Sequence, residues 1–311
     1  MASDAYSDLL ALIGVEAAAR VRRDHPLAPF TSFRIGGPAD LMFEPADVEM
    51  LGRVLAAAHE LRIPVTRLGG GTNVLVSDRG VRGLVIRLGR DFDYRRWGDE
   101  IEQTVTVDVG AATRLGKLVK ESVERGLEGL EFAAGIPGTV GGGALMNAGA
   151  FGGEIGAAIV DIEGVSLDGK KIVFDRSELE FSYRRLALRV ELMVTSVRFR
   201  LLRSSVGKLR RIVEAVQGKR RSKQPLGLPN AGSIFKNPQG EFAGRLIERA
   251  GLKGRTLGQA QVSPGHANFI VNLGGAKASD VRDLMGLIQD EVWERSGVWL
   301  EPEVRLVGEW G

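Results

Sequence analysis

Two stretches of main chain, rather than a cluster of reactive side chains, carry the most legible chemistry in this sequence. The first is RLGGGTNVLVSD at 67–78, where Gly69, Gly70 and Gly71 separate two apolar, strand-like runs and are followed by Thr72 and Asn73. Consecutive backbone N–H groups form an anion cradle when successive residues take right- and left-handed conformations, which glycine permits at little steric cost. Thr72 and Asn73 add short hydrogen-bonding side chains. The spacing is not the G-x-G-x-x-G that opens a helix, and no GK[ST] ends the run, so phosphate would be held by a strand–loop–strand nest. A plain tight turn is the alternative, although two glycines suffice for that. The second stretch, GIPGTVGGGALMNAGA at 135–150, is small, apolar and uncharged. Gly135, Pro137, Gly138, Thr139, Gly142 and Asn147 are its candidate ligand contacts. A flat ring system laid on main chain needs such a surface, although close helix–strand packing also favours glycine. Together the two loops suggest an extended ligand with a diphosphate and a large flat head, and a flavin dinucleotide fits both.

Composition narrows the field. The chain has 311 residues, enough for two or three domains, and 44% are apolar, so a packed core is within reach. The absence of cysteine removes disulfides, thiolate metal sites, iron–sulfur clusters and thiol nucleophiles together. Three scattered histidines, His25, His59 and His266, argue against a histidine metal site or a Ser-His-Asp triad, and no metal is expected. Lys and Arg number 42 against 39 Asp and Glu, a near balance that argues against nucleic acid despite the basic run GKRRSK at 218–223. No apolar run reaches the roughly 20 residues of a membrane span, and the N-terminus lacks the pattern of a secretory signal. A cytoplasmic protein with no membrane partner is expected. Glycine is the outlier, with 42 residues against roughly 22 at average usage. Eleven of them fall between Gly126 and Gly156, which suggests a backbone pressed against something.

The elements that must position these loops follow from periodicity. Residues 1–30 read as a short amphipathic helix and a connector, HPLAPF. TSFRIGGPADLMFEP reads as strand, turn and strand. Val48, Leu51, Leu55 and His59 predict a helix over Asp47–Arg62. Strands are expected at Pro64–Leu68, Val74–Ser77 and Leu84–Leu88, and the alternation of Val105, Val107 and Val109 with polar residues predicts a half-buried strand over 102–109. Thr113–Arg125 is expected to be a helix capped by Thr113 and stopped by Gly126. Asp168-Gly169 predicts a hairpin joining Ile159–Ser166 to Lys171–Phe174, and Glu191–Leu202 a further strand. After a basic helix at Val206–Lys219 and the linker QPLGLPNAGS come helices at Glu241–Ala250 and Ala278–Arg295 and strands at Asn268–Asn272 and 303–307. The division is an N-terminal helix and connector over 1–30, an α+β region over 31–203 and a smaller α/β domain over 204–311.

The motifs TSFRIGGPAD (31–40), RLGGGTNVLVSD (67–78), GIPGTVGGGALMNAGAFGGEI (135–155), SYRR (182–185), NAGSIFKNP (230–238) and LEPEVR (300–305) occur in that order. In combination the chain resembles the UDP-N-acetylenolpyruvoylglucosamine reductases (MurB) of bacterial peptidoglycan synthesis, over about residues 25–307. It looks like the shorter type, without the extra tyrosine-bearing substrate loop, so contacts from that loop are not carried over. The resemblance implies a two-part FAD-binding region of the vanillyl-alcohol oxidase/PCMH type plus a smaller α/β C-terminal substrate domain. It implies non-covalent FAD, NADPH as hydride donor, and reduction of UDP-N-acetylglucosamine enolpyruvate to UDP-N-acetylmuramate. A monomer is expected.

That chemistry needs a cation for the substrate carboxylate, a proton donor for carbon, and a partner for the enolate formed on hydride addition. The resemblance assigns these roles to Arg184, Ser233 and Glu303. A guanidinium holds a carboxylate bidentately and keeps its charge. Glu303 would act as an acid with its pKa raised by burial. Arg185, expected beside Arg184 on a strand, and Glu301 are assigned to structure. Tyr183 is expected to be a pocket wall, Lys223 to meet the substrate diphosphate, and Asn237 and His266 to contact the uridine diphosphate or the sugar. The rival readings are another flavin-dependent oxidase or dehydrogenase of the same fold, a non-catalytic nucleotide-binding regulator, and a nucleic-acid binder using GKRRSK. The first often attaches flavin through His or Cys, and neither glycine loop contains either residue.

Overall fold

The computed structural model describes residues 2–225 and 227–310, with only the backbone of Ala2, Ser3 and Lys223. The chain divides into two compact units that are discontinuous in sequence: residues 1–23, 41–70 and 83–218 form unit 1, and residues 24–40, 71–82 and 219–311 form unit 2.

Unit 1 is built on an antiparallel sheet with strand order Lys171–Asp175, Ile159–Ser166, Leu192–Arg203, Thr104–Gly110 and Arg95–Ile101, with Leu127–Glu128 added beside Leu192–Arg203. The valine alternation sets its register: Val109 lies opposite Val197, Val107 opposite Phe199 and Val105 opposite Leu201. Each of these six is at most 5% exposed, so one face of the sheet is core. The hairpin at Asp168-Gly169 forms as expected, with Gly169 at φ 87°. On the other face Arg198 lies opposite both Asp108 and Asp161, and Asp161 opposite Asp175. Burial pushes the Asp161 carboxyl up, against the pull of Arg198. The helix Val48–Glu60 starts where Asp47 accepts the Met50 N–H at 2.6 Å.

Unit 2 has its own core, in which Phe33, Leu75, Phe235, Ile270, Leu284 and Leu300 are almost fully buried. The strand Val74–Val76 runs parallel to Arg305–Val307, with Leu75 opposite Leu306. A three-stranded antiparallel sheet joins Thr256–Leu257, Ala260–Val262 and Ile270–Asn272. The helix Ala278–Ser296 packs there, and Asp78 accepts the N–H groups of Ala278 and Ser279 at its start, at 2.7 and 2.9 Å.

Several expectations need correction. The first strand of TSFRIGGPAD does not form. The Thr31 hydroxyl donates to Ala28 O at 3.1 Å and accepts the Ile35 N–H at 3.3 Å, so local bonds replace a ladder. The connector HPLAPF instead contributes the end of a strand, Val21–Pro26. Arg95–Ile101 is a strand without an apolar alternation to announce it. Thr113 does not cap a helix: it is fully buried and donates to Asp93 Oδ1 and Tyr94 O, and the helix begins at Leu115. Val140–Leu145 is helical despite its glycines, with Thr139 Oγ1 accepting the Gly142 N–H at its start, and at Gly141 close packing leaves no room for a side chain, since a Cβ would lie 2.8 Å from that of Ala111. The basic helix runs on to Lys223.

Candidate active site

In unit 1 the two glycine loops are one surface. A Cβ on Gly70 would lie 2.9 Å from Gly138 Cα, and one on Gly69 would lie 3.3 Å from Thr139 Oγ1. Part of the glycine content therefore serves packing of one loop on the other, where the alternative considered for the second loop was close helix–strand packing. The remainder leaves bare main chain. Gly69, Gly70, Gly135 and Pro137 are exposed, and Gly138, Thr139 and Gly142 half-buried. Among the described residues, the N–H groups of Gly69, Gly70, Gly138 and Thr139 meet no acceptor. Unpaired donors gathered on glycine suit an anion, and a diphosphate is the size of anion two such loops could hold.

Asn147, expected as a ligand contact, has its side-chain amide engaged within the protein. It is fully buried, with φ 41°. Its Nδ2 donates to Glu154 Oε2 at 2.7 Å and to Ser182 O at 3.0 Å, and its Oδ1 accepts the Gly156 N–H at 3.1 Å. Ser182 ends the strand Glu180–Ser182, which pairs with Arg185–Ala187. Tyr183 and Arg184 are thus the turn of a small hairpin; Arg185 is on a strand as expected, but Arg184 is not. Arg184 has φ 58°, a left-handed conformation unusual for arginine. Its guanidinium carbon lies 4.9 Å from the centre of the Tyr183 ring, which is 46% exposed.

Gly71, the third glycine of the first loop, belongs to unit 2 and tolerates no side chain. At φ 63° its Cβ would overlap Phe30 O at 1.9 Å, and Ser32 N–H donates to its carbonyl at 2.9 Å. Thr72 and Asn73 follow, half-buried. Asn73 Nδ2 donates to Glu303 O at 3.0 Å, and Arg305 N–H to Asn73 O at 3.1 Å. The Glu303 N–H in turn donates to Ile234 O at 2.7 Å, and Lys236 N–H to Glu301 O at 2.8 Å. Three motifs far apart in sequence are therefore laced together through backbone, which sets Ser233 and Glu303 on adjoining segments. Ser233 is half-buried between the buried Ala231 and Ile234, and its hydroxyl makes no hydrogen bond among the described residues. Glu303 is half-buried, short of the burial expected for it. Glu301 is exposed and pairs with Lys236 Nζ at 2.5 Å, a surface role.

Asn237 is exposed, and its Oδ1 accepts the Ala243 N–H at 3.1 Å at the start of the helix Ala243–Arg249. His266 is half-buried, with Nδ1 accepting the Asn268 N–H at 3.3 Å and its ring edge-on to Phe269. The Lys223 side chain lies outside the described residues. No local signal marks Asn268, which is 4% exposed, accepts the Phe235 N–H and donates to Phe235 O. Glu154 did carry a signal, as the lone charge between Glu131 and Asp161.

Residues 224–307 match the family model of the UDP-N-acetylenolpyruvoylglucosamine reductase C-terminal domain, and residues 39–174 that of an FAD binding domain. The chain is 46% identical over 289 residues to the UDP-N-acetylenolpyruvoylglucosamine reductase of Anaeromyxobacter sp. (strain Fw109-5), covering 93% of this chain and 89% of that one. It is 47% identical to UDP-N-acetylenolpyruvoylglucosamine reductase 2 of Symbiobacterium thermophilum, covering 93% and 92%. A crystal structure of the reductase from Thermus caldophilus superposes with a TM-score of 0.79 at 39% identity, covering 93% of this chain and 99% of that one. The chain belongs to the UDP-N-acetylenolpyruvoylglucosamine reductase family.

Proposed function

We propose that this chain is an FAD-dependent, NADPH-consuming oxidoreductase that converts the enolpyruvyl ether of UDP-N-acetylglucosamine to UDP-N-acetylmuramate, a step of peptidoglycan precursor synthesis. The observation that carries the reading is the pairing of the Ser233 and Glu303 segments through the 2.7 Å bond from Glu303 N–H to Ile234 O. The bare loop surface and unpaired N–H groups of unit 1 fit a dinucleotide, with Gly69, Gly70, Gly138 and Thr139 as the donors that would hold its phosphates. When bound and reduced by NADPH, FAD would supply the hydride for the terminal carbon of the substrate double bond.

The remaining work falls to side chains. Charge develops on the neighbouring carbon and into the carboxylate. Arg184 binds and polarises that carboxylate, a charge-assisted contact that strengthens as the charge grows. Ser233 gives its proton to the carbon. A hydroxyl is a weak acid, but a carbanion beside a carboxylate is a strong base, and no competing acceptor among the described residues holds this hydroxyl. Glu303 stabilises the enolate as an acid or through a proton relay. Tyr183, Lys223, Asn237 and His266 are the candidate contacts to the rest of the substrate. In this reading residues 31–203 carry the cofactor loops together with Tyr183 and Arg184, and 204–311 the remaining substrate contacts with Ser233 and Glu303. The protein acts as a monomer in the cytoplasm, where nucleotide sugars are made. Among the described residues no helix is long and apolar enough to cross a membrane.

The test is anaerobic. Purified protein should be yellow, bleach with NADPH, and recolour when the enolpyruvyl substrate is added. Recolouring with oxygen but not with that substrate would overturn the reading, and size-exclusion chromatography with light scattering checks the monomer.

A further inference from the structure

We infer that Asn147, acting with Glu154, is the positioning residue that sets the pose of Arg184; this rests on the reading of Arg184 as the ligand of the substrate carboxylate. Asn147 uses both ends of a fully buried carboxamide, and one of its three bonds is to Ser182 O, the last carbonyl before the Tyr183–Arg184 turn. That turn holds Arg184 at φ 58°, a left-handed conformation that is strained for a residue with a side chain and so is more easily kept where neighbours brace it. The same loop also meets the guanidinium end. The point where a Gly149 Cβ would stand is 3.4 Å from Arg184 Nη1 and 2.9 Å from Glu154 Cγ. Residues 147–154 therefore fix the backbone that launches Arg184 and supply the bare main chain beside its tip. Without the Asn147 clamp the turn is free to relax to an ordinary φ, which would swing the guanidinium away from its ligand.

The effect should be confined to recognition of a carboxylate, so the readout is equilibrium binding to the oxidised holoenzyme by calorimetry, without turnover. The enolpyruvyl substrate should bind roughly 10- to 100-fold more tightly than its methyl ester, the span of a charge-assisted bidentate contact. Arg184→Ala should erase that preference. Asn147→Ala should cut it about fivefold or more while ester affinity stays within about twofold. Asn147→Asp sets two carboxylates against each other and leaves Ser182 O without its donor, so it should also lose the preference, whereas Glu154→Ala keeps the Ser182 bond and should lose less of it than Asn147→Ala. If Asn147→Ala yields no holoenzyme, this pair decides. An unchanged preference in the Asn147 variants, with Arg184→Ala losing it, overturns the inference and leaves the reading of Arg184 standing. Equal losses for acid and ester overturn it too, since a merely structural role would give them. An unchanged preference in Glu154→Ala overturns the part given to Glu154. An unchanged preference in Arg184→Ala overturns the reading itself.

Discussion

Arg184 and Ser233 are each held by a buried asparagine, in opposite ways. In unit 1, Asn147 grips the carbonyl at the head of a turn and leaves Arg184 in a left-handed conformation. In unit 2, Asn268 bonds both the N–H and the C=O of Phe235 with its side chain, and its own carbonyl accepts the Ile234 N–H at 2.9 Å. It stands in for a neighbouring strand and fixes the extended backbone just after Ser233. The difference follows from side-chain length. Arginine reaches its target through four rotatable bonds, so its backbone has only to launch it in the right direction. A serine hydroxyl lies one bond from Cβ, so the backbone itself must be in place.

The sharpest way to break this comparison is to remove the side chains being positioned. Arg184→Ala, Ser233→Ala and Glu303→Ala should each slow reoxidation of the reduced enzyme by substrate by about 10²–10⁴-fold with FAD retained, as read by stopped-flow absorbance. A fully active Ser233→Ala enzyme would remove the reason for unit 2 to hold that segment so firmly. Next in size is Gly71→Ala, which meets Phe30 O and a left-handed φ together; it should cost about 2–4 kcal/mol in denaturant unfolding. Gly152→Ala, at φ 86° with open space around it, should cost only about 1 kcal/mol. Asn268→Ala strands the N–H and C=O of Phe235, which should cost about 1–3 kcal/mol and raise the solvent isotope effect on reoxidation. The unit 1 counterpart, Asn147→Ala, should leave that isotope effect unchanged, since it acts on binding of the carboxylate.

The smallest effect is expected far from either clamp. The Lys170 ammonium and the Ser166 hydroxyl hold the Asp168 carboxyl at about 2 in the Ser166–Lys170 hairpin. A carboxyl held below its unfolded value stabilises the fold only while ionised. Its contribution is complete above the unperturbed carboxyl's 3.8 and drains away as pH falls from there through about 2. Asp168→Asn should therefore lower thermal stability slightly at neutral pH and make no difference at pH 2, with activity unaltered.

Several local rules were legible in the sequence, although the Thr113 cap and the first strand of TSFRIGGPAD did not form. The valine alternation named the sheet face at 105–109, Asp168-Gly169 the hairpin, and the chargeless glycine run a surface of main chain, because each is written in residues a few positions apart. The motif series added the family and the candidates Arg184, Ser233 and Glu303. Local rules could not show that Arg184 sits in a turn, that Gly70 faces Gly138, that Gly71 lies under the Phe30 carbonyl, or that Asn147 is buried. Nor could they show that residue 303 bonds to residue 234, or that 74–76 pairs with 305–307. Those are backbone meetings between segments tens to hundreds of residues apart, fixed by which hydrogen bonds and apolar faces close together in the folded chain, and no spacing along the sequence encodes them.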